Sequence, residues 1–180
     1  NSSASATISG TVISDSYAGV GGADTGDGYA GRGGHGGGVY AGSTVGINIL
    51  SSEGSNNHSG SGADNSDAGR AGDGGHGGAV YSSGTLNLID ATLANNETGN
   101  GGANDSSADS GASGGNGGGI YTTGLLEVLN STIVSNTTGV AGVQNGSGSE
   151  GRNGGGGGIS ADGSATMTIV GSVFKENLAE

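Results

Sequence analysis

The chain has no proline, no cysteine and no tryptophan among its 180 residues, and only four lysines and arginines. Each shortage excludes something. Without cysteine there is no disulfide framework, so stability has to come from stacking. Four Lys+Arg against 16 Asp+Glu leave a formal net charge of −12, without the basic footprint that nucleic acid or an anionic membrane surface requires. No run of 18 apolar residues exists, so no membrane insertion of this segment is expected. Hydrophobic residues make up 30% and aromatics 3%, too little for a conventional core. What is abundant is glycine, 46 residues. A disordered glycine-serine tract has such a composition, but disorder scatters apolar residues without register, and here they keep one.

Four segments share a signature: Gly37-Gly38-Val39-Tyr40, Gly78-Ala79-Val80-Tyr81, Gly118-Gly119-Ile120-Tyr121 and Gly157-Gly158-Ile159-Ser160. Their last positions are 41, 40 and 39 residues apart. Behind each anchor comes a short alternating run: Leu86 and Leu88 recur as Leu126 and Val128, then as Met167 and Ile169, and Ile47 and Ile49 fit with a two-residue shift. A third element pairs an apolar residue with Asn or Asp three positions on: Val12 to Asp15, Leu93 to Asn96, Ile133 to Asn136 and Phe174 to Asn177. The second repeat has Gly54 to Asn57, with the apolar member lost. Period-2 alternation with β-branched residues predicts three short strands per repeat and no helix. Such a repeat exposes apolar edges that only the next repeat can cover, which is the logic of a solenoid. Stacked, Val39, Val80, Ile120 and Ile159 form an internal column. Asn57, Asn96, Asn136 and Asn177 form an amide ladder, since each amide both donates and accepts. Tyr40, Tyr81 and Tyr121 form an aromatic ladder.

The Gly77-Gly78-Ala79-Val80 pattern together with Phe174-x-x-Asn177 resembles the repeats of polymorphic outer membrane proteins and related autotransporter-type surface passengers. The resemblance implies a right-handed parallel β-helix displayed on a bacterial surface.

Between the asparagine position and the next anchor lie loops of Gly, Ser, Asp, Asn and Ala, at about 19–36, 58–77, 99–117 and 139–156. Counting back in threes gives Gly37, Gly34, Gly31 and Gly28, then Gly78, Gly75, Gly72 and Gly69. Extended to all four repeats, that frame holds 14 glycines in 16 slots, broken only by Ala112 and Asp109. A three-residue glycine period matches an extended left-handed helix with three residues per turn. Collagen is excluded by the missing proline, whose absence keeps every N–H available for bonding to neighbours. The pattern resembles polyglycine-II bundles, as in an antifreeze protein and some phage tail-tip adhesins. It predicts that the loops pack as a second layer beside the β-helix.

Few residues could carry chemistry. Asp24 and Asp27 match Asp64 and Asp67 at a spacing of 40, a candidate Ca²⁺ set; the competing reading makes them loop-tip Asx turns. A calcium β-roll is excluded because Gly38, Ala79 and Gly119 stand where its ligand Asp belongs. His35 and His76 share a column without a third ligand and read as a ladder. Arg32 and Arg152 share a column with Asp73 and Ser113, which reads as charge interleaving. Arg32, Arg70, Arg152 and Lys175 lie beside no acidic cluster on a strand face, so catalysis is not expected.

The expectation is one all-β domain over 1–180: a right-handed parallel β-helix of about four and a half coils with stacked, polyglycine-II-like loops. No cofactor other than the candidate Ca²⁺ is implied. The expected role is extracellular or cell-surface and non-catalytic: a stalk, adhesin or filament subunit. The expected partner is a second copy head to tail, or a continuation of the array. The alternative is an ice- or polysaccharide-binding module that uses the loop layer or a strand face, with surface glycans as a candidate partner.

Overall fold

The computed structural model describes residues 4–24, 28–42, 45–66, 69–105 and 110–180. Among them are fourteen strands and no helix. Each coil contributes a longer strand, a three-residue strand at a corner, and, beyond the loop, a three-residue strand that begins the next turn. The longer strands β1 (Ala4–Ser9), β4 (Val45–Leu50), β7 (Leu86–Ile89), β10 (Leu125–Leu129) and β13 (Thr166–Val170) form one parallel sheet in that order. The corner strands β2 (Val12–Ser14), β5 (Glu53–Ser55), β8 (Thr92–Ala94), β11 (Thr132–Val134) and β14 (Val173–Lys175) form a second. The anchors supply a third: β3 (Val39–Ala41), β6 (Val80–Ser82), β9 (Ile120–Thr122) and β12 (Ile159–Ala161). All pairings are parallel between successive coils, which makes the architecture β-solenoid-like.

Alternation sets which side chains turn inward. The inner columns are Ile8–Ile49–Leu88–Val128–Ile169, Ile47–Leu86–Leu126–Met167, and Val39–Val80–Ile120–Ile159. In the middle coils Leu86, Leu88, Ile120, Leu126, Val128 and Ile133 are fully buried. Complete burial of such a side chain is worth about 1.5–3 kcal/mol, which is how so apolar-poor a chain holds a core. In the second coil Gly54 stands between Ile13 and Leu93, and a small apolar cavity of about 10 Å³ lies beside it.

The corners repeat as strictly as the strands. Gly10, Ser51, Asp90, Asn130 and Gly171 all have positive φ and turn the first sheet into the second. Asp15, Asn56, Asn95, Ser135 and Glu176 do the same after the second sheet, at φ of 53° to 55°. The expected Val12-to-Asp15 element is therefore shifted by one: Ile13, not Val12, faces inward opposite Gly54, and Asp15 aligns with Asn56. The left-handed residue precedes the ladder asparagine. It is not the asparagine itself.

The loops are ordered by hydrogen bonds with a period of three. Ala18 and Gly21 on the outgoing arm donate to His58 and Ser61 one coil on, while Ala30, Gly33 and Gly36 on the return arm donate to Arg70, Asp73 and His76. The intervening residues bond sideways: Gly31 to Gly22 and Gly34 to Gly19 within a coil, Gly60 to Gly34 and Ala63 to Gly31 between coils. A Cβ on Gly72, Gly75, Gly115 or Gly154 would fall on a backbone carbonyl of the preceding coil. That close approach is the physical reason for the glycine frame.

Candidate functional site

The asparagine ladder runs where the spacing placed it. Asn57 Nδ2 donates to Asn96 Oδ1 at 3.0 Å, Asn96 to Asn136 at 2.8 Å and Asn136 to Asn177 at 2.9 Å. Each Oδ1 also accepts a main-chain N–H, as Asn96 Oδ1 does from Asn57 at 3.0 Å. The second Nδ2 hydrogen reaches back, from Asn96 to the Gly54 carbonyl and from Asn136 to that of Leu93. One amide thus ties three coils together. Asn57, Asn96 and Asn136 each stand two residues before a Ser or Thr, as an N-glycosylation acceptor does, but they are fully buried and so closed to a glycan in the folded chain.

Further ladders lie in the loop layer, where the sequence reading did not place them. Ser59, Thr98 and Thr138 are buried hydroxyls that donate to the carbonyls of Gly75, Gly115 and Gly154 at 2.6, 2.7 and 3.0 Å. Asp24, Asn65, Asn104 and Gln144 pair coil to coil at the far end of the outgoing arm. Asn65 and Asn104 are buried and donate to the return arm at Gly28 and Ser110. Spacings of 39 to 41 residues were the signal available for both columns.

This register corrects the alignment of the acidic set. Asp24 stands opposite Asn65, so Asp24 and Asp64 belong to adjacent columns, and Asp64 Oδ1 accepts the Ala103 N–H at 2.7 Å. Asp27 and Asp67 lie outside the described residues. Among the described residues, no three His, Asp or Glu side chains form a group that could hold a metal ion.

The aromatic column is a ladder of stacked rings. Tyr40 and Tyr81 have centroids 5.1 Å apart, and Tyr81 and Tyr121 5.4 Å. Beside it His35 stacks on His76 at 5.0 Å, and each imidazole also stacks on a tyrosine one coil on, His35 on Tyr81 and His76 on Tyr121. The rings thus spend their faces on one another; Tyr40, at the first coil, is the most exposed at 61%. Tyr121 donates its hydroxyl to Asp162 Oδ2 at 3.1 Å. Burial, and then that hydrogen bond to a carboxylate, push its pKa up to about 12.

The expected charge interleaving is present. Asp73 holds Arg32 at 3.3 Å and Arg70 at 3.1 Å, and its Oδ1 also accepts the Ser113 N–H at 2.9 Å. This cluster, with His35, His76 and Asn116, lines a shallow groove on the return arms. Asp73 engages both guanidinium groups, while the Arg70 Nε is buried without a hydrogen-bond partner. At the other extreme, Met167, Ile169 and Phe174 border an open surface that they share with Lys175, Glu176 and Asn177, although their counterparts Leu126, Val128 and Ile133 one coil back are fully buried.

Comparison with protein-family models, with curated proteins and with solved structures finds no match. The class rests on the architecture alone: an all-β, solenoid-like stack of parallel coils.

Proposed function

We propose that the chain is an extracellular, cell-surface structural or adhesive repeat protein, a stalk, adhesin or filament subunit with no catalytic role and no required cofactor. In this reading the coils wind right-handed, as parallel crossover connections do. The loops form a polyglycine-II-like layer beside them, supported by the three-residue period of their hydrogen bonds.

One observation carries the proposal: successive coils are joined by the same aliphatic columns and, from Asn57 to Asn177, by one amide ladder, and the coil of Asn177 shows a face of that kind. Phe174 is 42% exposed where Ile133 is fully buried. Asn177 has accepted from Asn136 just as each earlier rung accepts from the one before it. What fits on such a face is another coil, supplied by a continuation of the array or by a second copy stacked head to tail. A heterologous contact of that kind propagates into filaments when it does not close. The stacked faces of Tyr81 and Tyr121 weigh against glycan stacking on the inner rungs of this column, which needs a free ring face.

Sedimentation velocity of the 180-residue chain over a wide concentration range tests self-association. Association that grows with concentration, and is abolished by Ile169→Asp or Phe174→Asp in chains that still fold, is the expected result. A folded chain that stays monomeric at high concentration rejects head-to-tail assembly.

A further inference from the structure

The return arms carry a column whose members differ in one chemical respect. His35 Nδ1 accepts the main-chain N–H of His76 at 2.9 Å, and His76 Nδ1 accepts that of Asn116 at 2.9 Å. One coil further on, Asn116 Oδ1 accepts the Gly155 N–H at 2.7 Å. Three successive junctions share the same bond, from a main-chain N–H to a side-chain acceptor, beside the main-chain bonds from Gly36 to His76, Gly77 to Asn116 and Gly117 to Gly155. Two of the acceptors are imidazole nitrogens and the third is an amide oxygen. Of these acceptors only the imidazoles, once released from the closed junction, take up a proton on the acceptor lone pair at a pH where the chain's carboxylates stay ionised.

We propose that the His35–His76 column is an acid-operated latch on the loop layer: protonation removes both Nδ1 acceptors and opens the first two return-arm junctions, while the Asn116–Gly155 junction stays shut. An accepting Nδ1 fixes the neutral tautomer, with the proton on Nε2. A proton added at Nδ1 would face the N–H it now accepts, two donors 2.9 Å apart. A ring flip would put carbon there and also lose the bond. The imidazoles stack at 5.0 Å, so two protonations would set like charges face to face.

The surrounding groups give an imidazolium little relief. Arg32 stands near both rings and repels it. Asp73 is engaged by Arg32, Arg70 and the Ser113 N–H, and Asp162 by the Tyr121 hydroxyl. The remaining neighbours, Tyr81 and Tyr121, offer ring faces. Burial is the largest effect on both imidazoles. It lowers His35, with Arg32 adding to it, and brings His76 down to about 4, with His35 and Arg32 adding and the two carboxylates opposing. A histidine held below its unfolded value of 6.5 stabilises the closed state above that pH, and the contribution drains away as pH falls towards about 4. Allowing for partial exposure, the opening equilibrium of these junctions should rise on the order of tenfold to a hundredfold across that window.

The test is amide hydrogen exchange by NMR on the folded chain at about pH 7.5 and about pH 5, expressed as protection factors, with carboxylates ionised at both. Protection of the His76 and Asn116 amides should fall at least about tenfold, while that of Gly155 holds. The double variant His35→Asn with His76→Asn puts the chain's own third-junction acceptor into the first two and should keep protection at both pH values. Equal losses at all three amides, or the same loss in the double variant, would overturn the latch. If acid unfolds the whole chain instead, the double variant must shift that transition to lower pH, and an unchanged midpoint overturns it equally.

Discussion

At the residue scale the fold depends on side chains that act like pieces of backbone. Asn96 illustrates the point, because its amide satisfies the Asn57 N–H, the Asn57 amide and the Gly54 carbonyl while bonding forward to Asn136. All of this is buried. Asn96→Ala would orphan several polar groups at once, each worth about 1–3 kcal/mol when left unsatisfied. We expect a loss of about 3–5 kcal/mol in urea denaturation. Asn177→Ala, at the uncovered end, removes the same chemistry where water can replace it and should cost about 1 kcal/mol. Equal costs at both sites would show that the ladder does not act through burial.

At the scale of elements the loop arms replace apolar packing with backbone contact, and glycine is what permits it. The approach is one-sided, so substitutions should differ in sign. Gly115→Ala drives a methyl into the Gly75 carbonyl and should cost about 3 kcal/mol or more, or prevent the arms from docking. Gly22→Ala meets nothing within 4 Å and should be neutral or stabilising by about 0.4–1 kcal/mol, through the unfolded chain. Thermal melts of the two variants make the comparison. This frame was legible in the sequence because most slots repeat the same steric demand, the buried Ala112 apart, as were the three strands, the asparagine ladder and the tyrosine column. What escaped was register at the turns. The spacing drifts between 39 and 41, so a 40-residue step aligns Asp24 with Asp64 although its bridge partner is Asn65. The buried Ser59–Thr98–Thr138 column escaped because in a loop rich in Ser and Thr composition does not mark which hydroxyl turns inward.

At the scale of the whole molecule, each coil contacts only its neighbours, so stability is a sum of junctions. That makes position along the stack decisive for otherwise equivalent residues. Ile133 and Phe174 are register partners, one fully buried between two coils and the other 42% exposed on the last. Ile133→Ala creates a cavity between fixed neighbours and should cost about 2–5 kcal/mol at any protein concentration. Phe174→Ala in the isolated chain loses only half-buried contacts and should cost about 1 kcal/mol. If a second copy stacks on that face, the burial of Phe174 becomes concentration-dependent, because binding to the folded state adds to stability by mass action. The melting temperature of the parent chain should then rise with concentration, and the cost of Phe174→Ala should climb towards that of Ile133→Ala. The penalty at Ile133 should not change. Melting curves of the parent and both variants over a hundredfold range of concentration decide it. A Phe174 penalty that stays flat across that range would show that no second copy covers the face.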